Sequence, residues 1–93
     1  MHFDPSPNLL ALVAGAKLVR VVAPEHSAAL RPRAPPLGNT SALDGDLSRA
    51  AAVPAPSLHA VLGPGDVLYI PAGWWHFVRA TGTAISLALF LQE

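Results

Sequence analysis

Two patterns of apolar and polar positions alternate along this chain. "NLLALVAG", Asn8 to Gly15, is a continuous apolar run closed by glycine. Periodicity alone does not separate a buried strand from a short helix over such a run. "KLVRVVAP", Lys17 to Pro24, follows a Gly15-Ala16 break, is rich in valine and stops at proline. That combination predicts a strand, and the short break makes the first run its expected hairpin partner. From Glu25 the character changes. Residues 25–57 are crowded with Pro, Ala, Gly and Ser, which cannot keep a sheet ladder. They predict a long connection, with a helical turn near Asp46 to Ala51. A connection of that length in a compact domain is usually either functional or poorly ordered.

Strand patterns return after Ser57. Leu58 to Leu62 predicts a strand, and "GPGD", Gly63 to Asp66, places Pro then Gly at the centre of a type II turn. Val67 to Ile70 predicts the next strand, broken by "PAG". Trp75 to Ala80 predicts another, and Ala84 to Leu91 the last, after the "ATGT" turn. Short strands with turn signals at this spacing predict an all-β barrel or sandwich.

Composition narrows the function classes. At 93 residues the chain is one domain with one modest core. It is 52% hydrophobic and only 13% charged, which excludes a disordered charged tail. Its formal net charge is zero, against the basic patch a nucleic-acid-binding module needs. There is no cysteine, so disulfide scaffolds and thiolate zinc sites are excluded. No secretory leader is visible, and the late apolar run is far shorter than the roughly 20 residues a membrane helix needs. These features predict an intracellular chain, in nucleus or cytoplasm, with no membrane partner.

The candidate chemistry begins at the second residue. His2 and Asp4 are two apart, the spacing that puts side chains on one face of an extended strand. Alone the pair is a weak motif, better explained by a frayed terminus with a helix or turn cap at Asp4. His76 changes its meaning. It lies in "IPAGWWHFVRA", at the start of a predicted strand. Two histidines and a carboxylate are the ligand set of a facial triad, which suits ferrous iron and leaves the opposite positions open. Lys17 shares a strand face with Val19 and Val21. On an inward face it needs an anion, such as the far carboxylate of a dicarboxylate; on an outward one it simply starts the strand. Asn8 is either an amide donor to the same ligand or a turn residue after Ser6-Pro7. Trp74, Trp75 and Tyr69 are best explained by packing, and His26 and His59 as surface histidines. Thr40 and Ser41 are weak candidates for a substrate cleft.

"HFDPSPNLLALVAGAKLVRVVAPEHSAALRP", "NTSALD" and "GPGDVLYIPAGWWHFVRA" occur in that order. Together they resemble the C-terminal part of a JmjC (cupin-like) 2-oxoglutarate oxygenase domain, of the lysine-specific demethylase 8 or arginyl hydroxylase type. The resemblance covers nearly all of residues 1–93. It implies a partial double-stranded β-helix, or jelly roll, whose N-terminal strands are missing here. It implies Fe(II) held by His2, Asp4 and His76, and 2-oxoglutarate held by Lys17 and Asn8. It implies oxidative hydroxylation or demethylation of a side chain in a protein or peptide substrate. One departure from the pattern is Phe90, where relatives often carry tryptophan. Two other readings stay open: a non-catalytic cupin-like binding module, and an inactive truncated fragment. A half-roll exposes apolar faces and strand edges, which a homodimer would cover.

Overall fold

A computed structural model describes residues 1–91 of the chain. Six strands form two three-stranded antiparallel sheets: β1 (Asn8–Ala14), β2 (Lys17–Val22), β3 (Leu58–Leu62), β4 (Val67–Ile70), β5 (Trp75–Ala80) and β6 (Ile85–Phe90). One sheet has the order β4-β1-β6, the other β3-β2-β5. The fold is all-β and matches part of a jelly roll. No helix among the described residues is long and apolar enough to cross a membrane.

The hairpin expected between the first two runs does not form. β1 pairs with β4 and β6, whereas β2 pairs with β3 and β5. The Gly15-Ala16 link instead carries the chain from one sheet to the other. Every short link in the fold does the same, and only β2 and β3, separated by the long segment, follow each other within a sheet. The physical reason is burial. Leu10 and Leu12 of β1 must face Val19 of β2 across the roll, where they form one core with Leu62. Side by side in one sheet, they could not pack face to face. Gly15 makes the corner possible. Its φ is +81°, and a Cβ there would run into the Thr83 carbonyl oxygen and the Ala84 backbone. Gly15→Ala is therefore expected to destabilise the fold by at least about 2 kcal/mol, read as a lowered urea midpoint. An unchanged midpoint would show that the corner tolerates a side chain.

Register assigns each side chain to a face. The pairs Val21↔His76, Val19↔Val78 and Lys17↔Ala80 put Lys17, Val19, Val21, His76 and Val78 on the inner face. On the facing sheet, Asn8↔Phe90, Leu10↔Ala88 and Leu12↔Ser86 put Asn8, Leu10, Ser86, Ala88 and Phe90 inward. The opposite face of the β3-β2-β5 sheet carries Val22 and Trp75, both fully buried. The long segment covers them. It holds two 3-10 helices, Pro24–Leu30 and Ala50–Ala52, the second close to the predicted helical turn. It contributes Leu30, Leu47 and Val53 to a second core, against which Phe3 and Phe77 pack.

Arg20, which the sequence pattern did not single out, fixes this layer. It is 5% exposed. Its Nε and Nη2 donate to the Ser48 carbonyl at 3.1 and 2.6 Å, and its Nη1 to the Ser57 hydroxyl at 3.0 Å. A buried guanidinium needs such acceptors, and here they hold the long segment down. At the surface, Arg79 reaches Asp46 at 2.8 Å. The outer face of the β4-β1-β6 sheet remains apolar and open, with Val13, Val67, Tyr69, Leu87 and Leu89 each more than half exposed.

Candidate metal centre

The N-terminal segment does not fray. His2 and His76 exchange backbone hydrogen bonds, at 3.2 Å from His2 N–H and 2.8 Å from His76 N–H. Phe3 donates to the Asn39 carbonyl at 3.0 Å, and the Asn39 amide returns a bond to the Phe3 carbonyl at 3.1 Å. The Ser41 N–H donates to the Met1 carbonyl and the Gly73 N–H to the Asp4 carbonyl. The Phe3 ring meets Trp75 edge-on, centroids 4.9 Å apart. With Phe3 sunk into the outer core, strand alternation turns His2 and Asp4 toward His76.

The three groups meet. Asp4 Oδ2 lies 3.6 Å from His2 Nε2 and 3.4 Å from His76 Nε2. One ligand atom from each of His2, Asp4 and His76 can be chosen so that all lie within 4.8 Å of one another. Metal–ligand bonds of about 2.0–2.2 Å at right angles set neighbouring donors about 3 Å apart. The two distances to Asp4 exceed that by about half an ångström, and a closing of the His2–His76 pair would complete the fit to a divalent ion. Two imidazoles and one carboxylate are also a suitable donor set for ferrous iron.

His76 is oriented for this task. Its Nδ1 lies 3.1 Å from the Trp74 carbonyl, which can only accept. Nδ1 therefore carries the hydrogen, and the Nε2 lone pair is left facing Asp4 and His2. Burial holds the His76 ring below its ordinary value of 6.5, while the Trp74 carbonyl and Asp4 oppose that shift. A lowered value means that the unfolded chain binds this proton more readily than the folded one. The contribution of His76 to the stability of the metal-free fold is thus fully present above pH 6.5 and is lost as pH falls from there through the lowered value. Metal competes with protons for the imidazoles, so affinity for Mn(II) is also expected to fall below about pH 6.5. Affinity that stays flat between about pH 5 and 8 would remove the histidines as ligands.

A cavity of about 230 Å³ adjoins His2, Asp4 and His76, lined also by Asn8, Lys17, Val78, Ala88 and Phe90. Lys17 therefore faces inward rather than simply starting a strand at the surface. Asn8 is 5% exposed and faces the same space. Along β2, Lys17 stands four residues from the pairing partner of His76, about 13 Å of strand. His59 is exposed on β3 and His26 is half-buried in the first 3-10 helix. Neither lines this cavity. Nor do Thr40 and Ser41: Ser41 is buried and donates to the Leu30 carbonyl. Ser86, which the sequence reading passed over, accepts a hydrogen bond from Lys17 Nζ at 2.7 Å. Its signal was the lone hydroxyl at an inward position of the apolar run "ISLALF".

The family model of the cupin-like domain matches residues 1–92. Jumonji C domain-containing protein 5 of Drosophila melanogaster is 34% identical over 97 residues, covering 99% of this chain and 24% of that protein. Lysine-specific demethylase 8 of Xenopus tropicalis is 34% identical over 95 residues, covering 97% of this chain and 21% of that protein. tRNA wybutosine-synthesizing protein 5 of Danio rerio is 31% identical over 104 residues, covering 99% of this chain and 28% of that protein. The chain thus spans about a quarter of the length of these relatives. The family match and the identities agree with the two-sheet fold, and the chain belongs to the cupin-like family of JmjC domains.

Proposed function

We propose that this chain carries the metal and co-substrate site of an Fe(II)- and 2-oxoglutarate-dependent oxygenase that hydroxylates or demethylates a protein side chain. The observation that carries the reading is the meeting of His2, Asp4 and His76 beside a cavity lined by Lys17 and Asn8. His2, Asp4 and His76 would hold the ion. When bound, ferrous iron would supply dioxygen activation coupled to oxidation of the 2-oxo acid.

The chain's own residues have separate tasks. The Trp74 carbonyl keeps the His76 Nδ1 proton in place and so keeps Nε2 free. The Lys17 ammonium takes the distal carboxylate of 2-oxoglutarate, a charge-assisted contact inside a part-buried cavity. The Asn8 amide offers a further donor from the facing sheet. Val78, Ala88 and Ile70 shield the ligand's methylene chain from water. The relatives named as lysine-specific demethylases support a protein side chain as substrate. The tRNA wybutosine-synthesizing relative shows that the family likeness alone does not choose among substrates. The absence of cysteine suits a reducing compartment, the cytoplasm or nucleus.

One observation favours a second reading, a cupin-like module that binds without turnover. The cavity lies between two edge strands, β5 and β6, and Phe90 at its border is 59% exposed. Iron-dependent conversion of 2-oxoglutarate to succinate separates the two. The oxygenase reading predicts succinate, with Lys17→Ala raising the KM for 2-oxoglutarate at least about tenfold, as expected for losing a hydrogen bond between charged groups. Folded, metal-loaded protein that binds 2-oxoglutarate and forms no succinate would establish the module instead.

A further inference from the structure

The sheet that carries His76 continues past the N-terminal arm. His2 pairs with His76 on one side and with Thr40 on the other, and Pro32 pairs with Ser41 beyond that. The Arg33 N–H donates to the Thr40 carbonyl and the Ala42 N–H to the Arg31 carbonyl, both at 2.9 Å. Arg33 therefore stands opposite Thr40, and Arg31 opposite Ala42. Residues directly opposite in an antiparallel ladder point to one face. His76, His2, Thr40 and Arg33 thus form a single row on the metal-bearing face, and strand alternation puts Arg31 on that side too. The reverse face agrees. Leu30 belongs to the outer core, Met1 and Phe3 pack against it, and the buried Ser41 hydroxyl donates to the Leu30 carbonyl.

We infer that Arg31 and Arg33 form a docking subsite for an acidic peptide, one that carries aspartate or glutamate roughly three residues from the side chain it presents to the metal. This rests on the oxygenase reading for what happens at the metal, and adds the charge of the substrate's neighbouring residue. Geometry sets the spacing. Neighbouring segments of a sheet are about 4.8 Å apart, so Arg33 lies about 10 Å from His2 along the row, and an extended peptide covers that in about three residues. Charge sets the class. Both arginines are exposed, and among the described residues neither has a carboxylate within ion-pair distance. Arg20 and Arg79 differ: the first is buried against Ser48, the second paired with Asp46. A guanidinium's planar fork matches a carboxylate with two donors at once. RNA fits less well. Two charges on a chain of zero net charge fall short of the basic stripe that tracks a phosphate backbone.

The test uses the full chain, loaded with zinc, and short glycine-serine peptides with one central lysine. One peptide carries glutamate three positions to each side of the lysine, and a second carries glutamine there. Titrations are followed by the backbone amide NMR signals of Arg31 and Arg33, which also locate the contact. At low salt the glutamate peptide is expected to bind about three- to fivefold tighter than the glutamine peptide, an advantage lost near 1 M salt. Glutamates moved next to the lysine no longer span the row and should lose most of it. Arg33→Gln should remove the advantage, and Arg33→Glu should reverse it in favour of a peptide with lysine at the same positions. Equal affinity for the glutamate and glutamine peptides would overturn the inference, as would a glutamate advantage that survives Arg33→Glu. If Arg33→Glu fails to fold, an advantage retained in Arg33→Gln overturns it alone. Oligouridine that displaces the glutamate peptide from the arginines would assign the face to RNA and overturn it too. Failure of the oxygenase reading looks different: iron-loaded protein would form no succinate, while the glutamate preference and its reversal remained.

Discussion

Replacing His76 with alanine is expected to abolish divalent-metal binding while leaving the chain folded. The two consequences separate because His76 has two roles on two parts of the residue. Its backbone pairs with His2 on one side and with Val21 on the other, which alanine preserves. Its imidazole alone provides the third ligand atom. Outer partners of metal ligands are worth about 10–100-fold in affinity, so loss of a ligand itself should exceed about 100-fold. The Trp74 carbonyl would lose its side-chain donor, a small effect beside the loss of the ion. Calorimetric titration with Mn(II), with urea unfolding on the same sample, measures both. A variant that binds Mn(II) within a few-fold of wild type would remove His76 from the site.

Trp75→Ala is expected to do the reverse, breaking the fold and the site together. Trp75 is fully buried, and it is the largest such side chain in the described chain. It packs with Val22, Leu30, Leu47 and Val53, and its Nε1 donates to the Ser27 hydroxyl at 2.8 Å. Truncating a buried tryptophan costs about 3–5 kcal/mol. A domain of this size has about 5–14 kcal/mol in total. A large share of the stability would go, and with it the Phe3 contact that holds the His2–Asp4 arm. Trp75→Phe keeps an aromatic ring and loses the indole N–H bond, so a loss of only about 1–2 kcal/mol is expected. The urea midpoints of the two variants check the ranking. If alanine cost no more than phenylalanine, the outer core would not be what holds the N-terminal arm.

The strands were readable from residue pattern because each is short, apolar and punctuated by glycine or proline. β3, β4 and β5 fall on the predicted bounds, and β6 differs by a residue at each end. Sheet membership was not readable. A two-residue link containing glycine looks the same whether it closes a hairpin or turns a corner between sheets, and only the facing core of Leu10, Leu12, Val19 and Leu62 decides. The long segment was readable as a connection but its packing was not, because its buried anchors, Leu30, Leu47 and Val53, are single residues without periodicity. The three groups that meet were readable as candidates from residue type, with the two-residue spacing of His2 and Asp4 and a strand-borne His76. The Lys17–Ser86 hydrogen bond was not, because its two ends lie on different sheets, 69 positions apart. Arg20 was missed for a similar reason: its acceptors, Ser48 and Ser57, are far away in sequence.

The central claim is that one divalent ion draws His2, Asp4 and His76 together and ignores the remaining histidines. Protein labelled with nitrogen-15 in its histidine rings reports this directly when zinc, a diamagnetic ion that the same donors accept, is added to one equivalent. The Nε2 signals of His2 and His76 should move to coordinated positions, with His26 and His59 unmoved. Rings of His2 and His76 that stay unchanged, or an ion that settles on His26 or His59, would contradict the account.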